Sequence, residues 1–186
     1  MQCPLPQMLK SARHGLIRID YVRKDCAARQ ELFLNFMEII KKILNEEAEY
    51  DTIAVREIAY LEKSCFPEDC WSLEAVRSSL KRADIIYDLE YSEGKAIGYF
   101  LAAASFDQCE LYRIAVLREY RGQGKGKILM ERFLHTLPEG TEKIYLEVRE
   151  SNRTAIRLYE KFGFKKLAER KNYYGHENGF IYILTK

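Results

Sequence analysis

Three glycines and three basic side chains are interleaved in the segment Tyr120–Lys127, which follows an apolar run, Leu111–Leu117, and precedes a helical segment, Ile128–Leu137. Glycine lets the backbone approach an anion closely, and the free amides and dipole of a helix's first turn favour negative charge. The pattern therefore predicts a site for phosphate groups. The predicted binding residues are Arg121, Gly122, Gln123, Gly124, Lys125, Gly126 and Lys127.

Two known phosphate-binding patterns do not fit this glycine loop. The P-loop requires Ser or Thr after its lysine, whereas Gly126 is followed by Lys127 and Ile128. The dinucleotide fingerprint requires two residues between its second and third glycines, whereas Lys125 alone separates Gly124 from Gly126. A simple tight connection is the alternative, because glycine turns before helices are common.

The loop and the segments around it are similar to the GNAT superfamily of acetyl-CoA-dependent N-acetyltransferases. The matching motifs follow in order: Ile114-Ala115-Val116, the glycine loop, Leu146–Asn152 and Ala155–Phe164. Within the superfamily the chain most resembles the RimI type, the N-terminal alanine acetyltransferases of a ribosomal protein. That resemblance rests on Cys65-Phe66-Pro67 with Trp71-Ser72, on Leu146–Arg149, and on Asn172-Tyr173-Tyr174.

Acetyl transfer from a thioester to an amine requires an aligned amine, a base for the ammonium, and a group that manages the departing thiolate. Glu147, a carboxylate in the apolar strand Ile144–Val148, is the candidate base, and the resemblance places the family's base there. The alternative is an edge residue paired with Arg149 or Arg113. Tyr159 is the candidate acid, because its helix resembles the family's acid-bearing helix; ordinary core packing is the alternative.

The resemblance also implies the cofactor contacts. Backbone groups of Ile114, Ala115 and Val116 would pair with the pantetheine arm of acetyl-CoA, as an added strand would. The glycine loop would hold the pyrophosphate, and Asn152 would contact the cofactor near the thioester or only cap its helix. The acceptor-binding candidates are Arg113, Tyr173 and Tyr174.

Two departures from the RimI pattern lie beside the expected acceptor groove. Arg113 stands where that type usually has Asn, and the segment Gly175–Gly179 is short. The resemblance therefore implies acetyl transfer to an amine but does not identify the acceptor.

Composition predicts a globular protein and excludes several classes. Of 186 residues, 47% are hydrophobic and 31% charged, which is enough to build a core. The balance of 30 basic to 28 acidic residues argues against a general nucleic-acid-binding surface. The five cysteines and three histidines show no zinc spacing, so we predict no metal site and a reduced, cytoplasmic protein. No apolar stretch approaches the roughly 20 residues that span a bilayer.

The periodicity predicts a mixed α/β (α+β) GNAT acyl-CoA N-acyltransferase fold, with a central, mostly antiparallel sheet flanked by helices. Residues 1–49 are predicted to be an extension with a long amphipathic helix, Ala27–Glu47, and residues 50–186 the acetyltransferase domain. Either Leu16–Val22 or Tyr50–Val55 would be the first strand. The remaining predicted helices are Val55–Ser64, Leu73–Lys81, Ile128–Leu137 and Ala155–Phe162, and the strands are Ile85–Glu90, Ala96–Ala104, Leu111–Val116, Lys143–Val148, Phe164–Ala168 and Phe180–Leu184.

The resemblance implies direct acetyl transfer to an amine through a ternary complex. An α-amine has a pKa near 7.8 and lysine one near 10.4, so a single carboxylate base suits the N-terminal α-amine of a protein better. A small amine or an antibiotic is the alternative acceptor, which a pocket closed by Ala27–Glu47 would favour. A non-catalytic acyl-CoA-binding module is the third hypothesis, against which Glu147 and Tyr159 argue. The oligomeric state is left open.

Overall fold

The computed structural model describes the backbone of residues 26–186 and the side-chain environment of residues 36–42 and 52–186. The helices are α1 (Cys26–Cys65), α2 (Leu73–Leu80), α3 (Lys125–Thr136) and α4 (Arg153–Lys161), and a 3-10 turn spans Arg118–Tyr120. The strands are β1 (Ile85–Ser92), β2 (Lys95–Ser105), β3 (Gln108–Val116), β4 (Lys143–Arg149), β5 (Lys165–Arg170) and β6 (Gly179–Thr185). None of the described helices is both long and apolar enough to cross a membrane.

The first helix corrects two predictions. Tyr50–Val55 is helical, so its prediction as a strand is wrong, and Ala27–Glu47 and Val55–Ser64 belong to one helix. The reason is visible in the burial: Val55, Ile58 and Leu61 are all buried at helical spacing. The other candidate first strand, Leu16–Val22, lies outside the described residues.

Two compact units are distinguished, with the boundary between Glu46 and Glu47. The second unit contains the whole sheet. The division into an extension, residues 1–49, and a domain, residues 50–186, stays a prediction.

Six strands form one sheet in the order β1-β2-β3-β4-β6-β5. Only β3 and β4 are parallel, and the other neighbours are antiparallel. The β1–β2 hairpin turns at Glu93 and Gly94, whose φ angles of 51° and 76° are typical of a tight two-residue turn. The predicted mixed, mostly antiparallel sheet is confirmed.

The only parallel pair of this sheet separates halfway along its length. Residues 108–111 of β3 pair with residues 143–146 of β4, and the pairing stops there. At that point Tyr112 is an extra residue against β2, because Leu111 faces Ala102 and Arg113 faces Leu101. Such a bulge bends its strand. The ends of β3 and β4 therefore diverge and leave an opening in the sheet.

Each face of the sheet carries its own core. On one face, α3 and α4 pack Phe133, Leu129 and Ile156 against Ile144 and Leu146 of β4. The other face contacts the end of α1 and α2 through a second cluster, which includes Ile58, Leu61, Val76, Tyr99 and Leu101. Because successive side chains of a strand alternate between the faces, Glu147 points away from the α3–α4 core while Leu146 and Val148 point into it.

Candidate active site

The opening between β3 and β4 continues into a cavity of about 840 Å³. Residues of the segment before α2, of β3, of the glycine loop, of β4 and of α4 line it. Among the predicted site residues it brings together Arg113, Ile114, Ala115, Val116, Arg121, Gly122, Gly124, Gly126, Lys127, Glu147, Asn152, Tyr159 and Tyr174.

The glycine loop has the geometry of an anion cradle. Gly122 and Gly124 have φ angles of 76° and 78°, which residues other than glycine rarely adopt. Gly124 is the N-cap of α3. The flanking amides are bonded, Arg121 N to Arg118 O at 3.2 Å and Lys127 N to Gly124 O at 3.0 Å. Within the described chain this leaves the amides of residues 122–126 available to phosphate oxygens.

Two predicted binding side chains of this loop point elsewhere. Lys125 Nζ lies 2.7 Å from Glu90 Oε1, in an ion pair with β1. Gln123 Nε2 donates to the carbonyl oxygen of Glu119 at 3.0 Å. Neither residue lines the cavity. Their side chains are thus engaged with β1 and with the loop itself, and their binding of phosphate stays a prediction.

The end of β3 fits the role of an edge for an extended ligand. Residues 114–116 pair with β2 on one side, where Ile114 faces Phe100 and Val116 faces Gly98. On the other side β4 has already separated, so their remaining backbone groups face the cavity. Arg121 Nε donates to the Val116 carbonyl oxygen at 2.8 Å, which fastens the glycine loop to the strand end.

Glu147 stands where two cavities meet. It lines the 840 Å³ cavity and also a second one of about 480 Å³ on the sheet face, together with Glu110 and Tyr145. Its Oε1 lies 2.8 Å from Nη1 of Arg170 on β5, rather than beside Arg113 or Arg149. Glu147 is therefore accessible both from the larger cavity and from the sheet face.

Tyr159 reaches the cavity from α4. Its ring is 6% exposed and contacts Phe164, with the ring centroids 5.9 Å apart. Burial raises the pKa of the Tyr159 hydroxyl, and the phenol of Tyr174 adds to the effect. At neutral pH the hydroxyl therefore carries its proton and is a hydrogen-bond donor in the cavity.

Asn152 has the predicted capping role. Its Oδ1 accepts from the amide of Ala155 at 3.2 Å, at the start of α4. The same residue lines the cavity, so the two roles considered for it are compatible. The cofactor contact itself stays a prediction.

Aromatic and arginine side chains surround the end of the cavity near Glu147. Arg149 lies over the ring of Tyr174 at 4.1 Å, and Tyr173 meets Tyr174 edge-on at 5.0 Å. Tyr173 is 49% exposed and does not line the cavity, whereas Arg170 lies over its ring at 4.8 Å. Tyr173 thus contacts the site through its neighbours.

Sequence reasoning missed several charged residues of the site. Glu62, Asp69 and Arg149 contact Arg113 or line the cavity, and Arg170 pairs with Glu147. Glu62 had a recognisable signal, because it lies four residues after Ile58 and so falls on the buried stripe of α1. The others depend on which loops and strands become neighbours, which one sequence does not show.

Comparison with known proteins agrees with this geometry. The model of the Acetyltransferase (GNAT) family matches residues 43–164, more than half of the chain. The ribosomal protein bS18-alanine N-acetyltransferase of Haemophilus influenzae is 43% identical over 91 residues, which are 46% of this chain and 62% of that protein. Its Escherichia coli counterpart is 34% identical over 119 residues, 61% of this chain and 80% of that protein.

The crystal structure of the Escherichia coli ribosomal-protein-S18-alanine N-acetyltransferase resembles this fold with a TM-score of 0.65 at 29% identity, covering 70% of this chain and 86% of that one. The chain spans less than two thirds of the Haemophilus influenzae relative. The predicted fold class is confirmed, and the predicted acetyltransferase class is that of the matched family. The chain belongs to the acetyltransferase (GNAT) family.

Proposed function

We propose that this chain acetylates the N-terminal α-amine of a protein, by direct transfer from acetyl-CoA. The position of Glu147, which is reached from both cavities, is the observation that carries the proposal. A base at such a junction can take a proton from an amine that enters from the sheet face while the acyl donor occupies the larger cavity. The two relatives are named ribosomal protein bS18-alanine N-acetyltransferases, and these names support a protein acceptor.

The chain's own residues fit acetyl-CoA. The left-handed glycines and free amides of the loop suit a pyrophosphate. Residues 114–116 offer the strand edge from which β4 has separated to an amide-bearing arm, with the Val116 carbonyl oxygen held by Arg121. Arg121 and Lys127 add positive charge at the cavity wall. The bound cofactor supplies an acetyl thioester, and these contacts fix the place of its acyl end.

Two side chains of the protein carry out the proton transfers of the reaction. Glu147 takes the proton of the acceptor ammonium, after which the amine can attack the acyl carbon, as direct transfer requires. Tyr159, kept neutral by its burial, donates a proton or a hydrogen bond to the departing sulfur. Each side chain lines the cavity, on β4 and on α4 respectively.

The α-amine is the better acceptor on energetic grounds. Its pKa near 7.8, against about 10.4 for lysine, saves the enzyme about 3.5 kcal/mol of deprotonation at a given pH. A single carboxylate base therefore suits the N-terminal amine better than a lysine side chain.

The proposal is tested with a panel of acceptors and acetyl-CoA, following the release of free thiol. The panel holds peptides that begin with Ala or Met, the same peptides with acetylated N-termini and an internal lysine, and simple polyamines. We expect turnover only on free N-termini. Turnover on the blocked, lysine-containing peptides or only on polyamines would refute an N-terminal acceptor.

The glycine loop gives a separate prediction about the cofactor. Gly124→Val should weaken acetyl-CoA binding by about tenfold or more, because φ at Gly124 is 78° and a branched side chain would move the amides out of place. Gly94→Val is the matched control, since φ at Gly94 is 76° and this glycine lies in the β1–β2 turn and does not line the cavity. Calorimetric titration with acetyl-CoA measures both variants. Equal affinities in the two would remove the loop as the phosphate site.

A further inference from the structure

Arg113 on β3 contacts both α1 and the segment 66–71 that follows this helix. Its Nε lies 3.3 Å from Oε1 of Glu62 on α1, and its Nη2 donates to the carbonyl oxygen of Asp69 at 2.9 Å. Its guanidinium lies over the rings of Phe66 and Trp71, 4.7 and 5.5 Å from their centroids. The side chain is 18% exposed and lines the larger cavity.

The carboxylate that Arg113 faces is itself held from two other sides. Glu62 is 1% exposed, and it accepts hydrogen bonds from the amide of Trp71 at 2.7 Å and from the hydroxyl of Tyr99. A carboxylate buried to this degree requires a nearby cation as well as hydrogen bonds. Arg113 supplies that charge, although its Nε is not aligned for a hydrogen bond with Glu62. The segment 66–71 is thereby tied to the core through Arg113 as well as through the amide of Trp71.

The outer end of this segment reaches across the opening in the sheet. Asp69 Oδ2 lies 3.8 Å from Nη1 of Arg113 on β3 and 3.9 Å from Nη2 of Arg149 on β4. These two arginines stand on the strand ends that have diverged from each other. Asp69 therefore connects the two sides of the opening, at the end of the cavity where Glu147 lies.

We propose that Arg113 is a positioning residue for the acceptor: it holds segment 66–71 across the opening between β3 and β4, as a fixed wall beside Glu147. This rests on the proposed function, since the wall stands beside Glu147, where the amine must meet the acyl donor. The shape of the side chain is essential to the role. Lysine keeps the charge but lacks the planar fork that lies between two rings and bonds a carbonyl, and asparagine does not carry the charge.

Two changes in the full chain test the role of Arg113. Arg113→Lys retains the charge opposite Glu62, and the double change Arg113→Asn with Glu62→Gln removes both charges together, which avoids a buried carboxylate without its cation. In both variants we expect the KM for an N-terminal peptide to rise about tenfold, while kcat and the Kd for acetyl-CoA stay within about threefold of the wild type. This split follows because the wall contacts the acceptor side and not the glycine loop.

A second measurement does not depend on turnover. The Trp71 amide, bonded to Glu62, lies within the segment that Arg113 holds. Hydrogen exchange in segment 66–71 should therefore be faster in Arg113→Lys than in the wild type. Exchange that is unchanged in this segment would overturn the proposal, whatever the acceptor proves to be.

Arg132→Lys is the control for a merely structural role. Arg132 also bridges carboxylates, with Nε 3.2 Å from Asp88 and Nη2 2.9 Å from Glu90, but it stands on α3 and does not line the larger cavity. We expect it to lower Tm and to leave the acceptor KM unchanged. An equal rise of KM in the Arg113 and Arg132 variants would overturn the positioning role. Absence of turnover by the wild type on every free N-terminus would instead refute the proposed function. Hydrogen exchange in segment 66–71 would then still test whether Arg113 holds this segment in place.

Discussion

Glu147→Gln is expected to lower kcat/KM for a peptide with a free N-terminus by about 10²- to 10⁴-fold near neutral pH, the usual contribution of a general base. Glutamine retains the size of the side chain and can still accept a hydrogen bond from Arg170, which lies 2.8 Å from the carboxylate. It cannot accept the ammonium proton. Steady-state rates of thiol release measure the loss, and titration with acetyl-CoA should give a Kd within about twofold of the wild type.

The loss of kcat/KM in Glu147→Gln should depend on pH. Without its base the enzyme can use only amine that is already neutral, and that fraction grows as pH rises through about 7.8, the pKa of an α-amine. The deficit of Glu147→Gln should therefore be greatest at low pH and should shrink above about pH 8. A deficit of the same size at every pH would show that Glu147 contributes by some means other than proton removal.

A neighbouring carboxylate serves as the control for this assignment. Glu110 lies on β3 opposite Tyr145, in the second cavity that Glu147 also lines. Burial raises the pKa of Glu110, and the charge of Glu147 raises it further. Because Glu110 does not line the larger cavity, where the acyl donor binds, it is not placed to take the proton of the attacking amine, and we expect Glu110→Gln to keep kcat within about threefold of the wild type at each pH. A pH-dependent deficit in Glu110→Gln alone would move the role of base to Glu110.

The parts of the site that sequence could predict are local in the chain. The end of β3, the glycine turn and α3 follow one another directly, so glycine spacing and periodicity were sufficient to place Gly122 and Gly124. The same holds for β4 and α4, where Asn152 caps the helix that carries Tyr159. Glu147 is predicted as the carboxylate of an apolar strand, and the alternation of β4 explains why it points away from the core that Leu146 and Val148 enter.

The parts that sequence could not predict depend on residues that are distant in the chain. The ion pair of Glu147 with Arg170 exists because β6 lies between β4 and β5. Lys125 was assigned to phosphate by its place in the loop, but β1 presents Glu90 to it. In both cases tertiary neighbours decided the outcome and local propensity did not. The first helix, Cys26–Cys65, is predicted in two parts, because Tyr50–Val55 also fits a strand in the sequence alone.

Tyr159→Phe is expected to lower kcat by about 10- to 100-fold and to leave the KM for the acceptor and the Kd for acetyl-CoA within about threefold. Burial raises the pKa of Tyr159, so its hydroxyl is protonated at neutral pH and can donate to the departing thiolate. Phenylalanine removes that donor and keeps the ring contact with Phe164 at 5.9 Å. Single-turnover measurements with saturating acetyl-CoA and acceptor would report the loss directly.

Tyr182→Phe is the matched control, because it removes a hydroxyl from another buried tyrosine. Tyr182 on β6 is 3% exposed, donates to Glu160 at 3.2 Å, and does not line the larger cavity. If both variants lost kcat equally, the hydroxyl of Tyr159 would be needed only for packing and stability. A loss confined to Tyr159 must come from the place of its hydroxyl in the cavity, because the two changes delete the same atom from rings of similar burial. Such a loss, with unchanged cofactor affinity, identifies a hydroxyl that stabilises the transition state by donating a proton or a hydrogen bond to the departing sulfur.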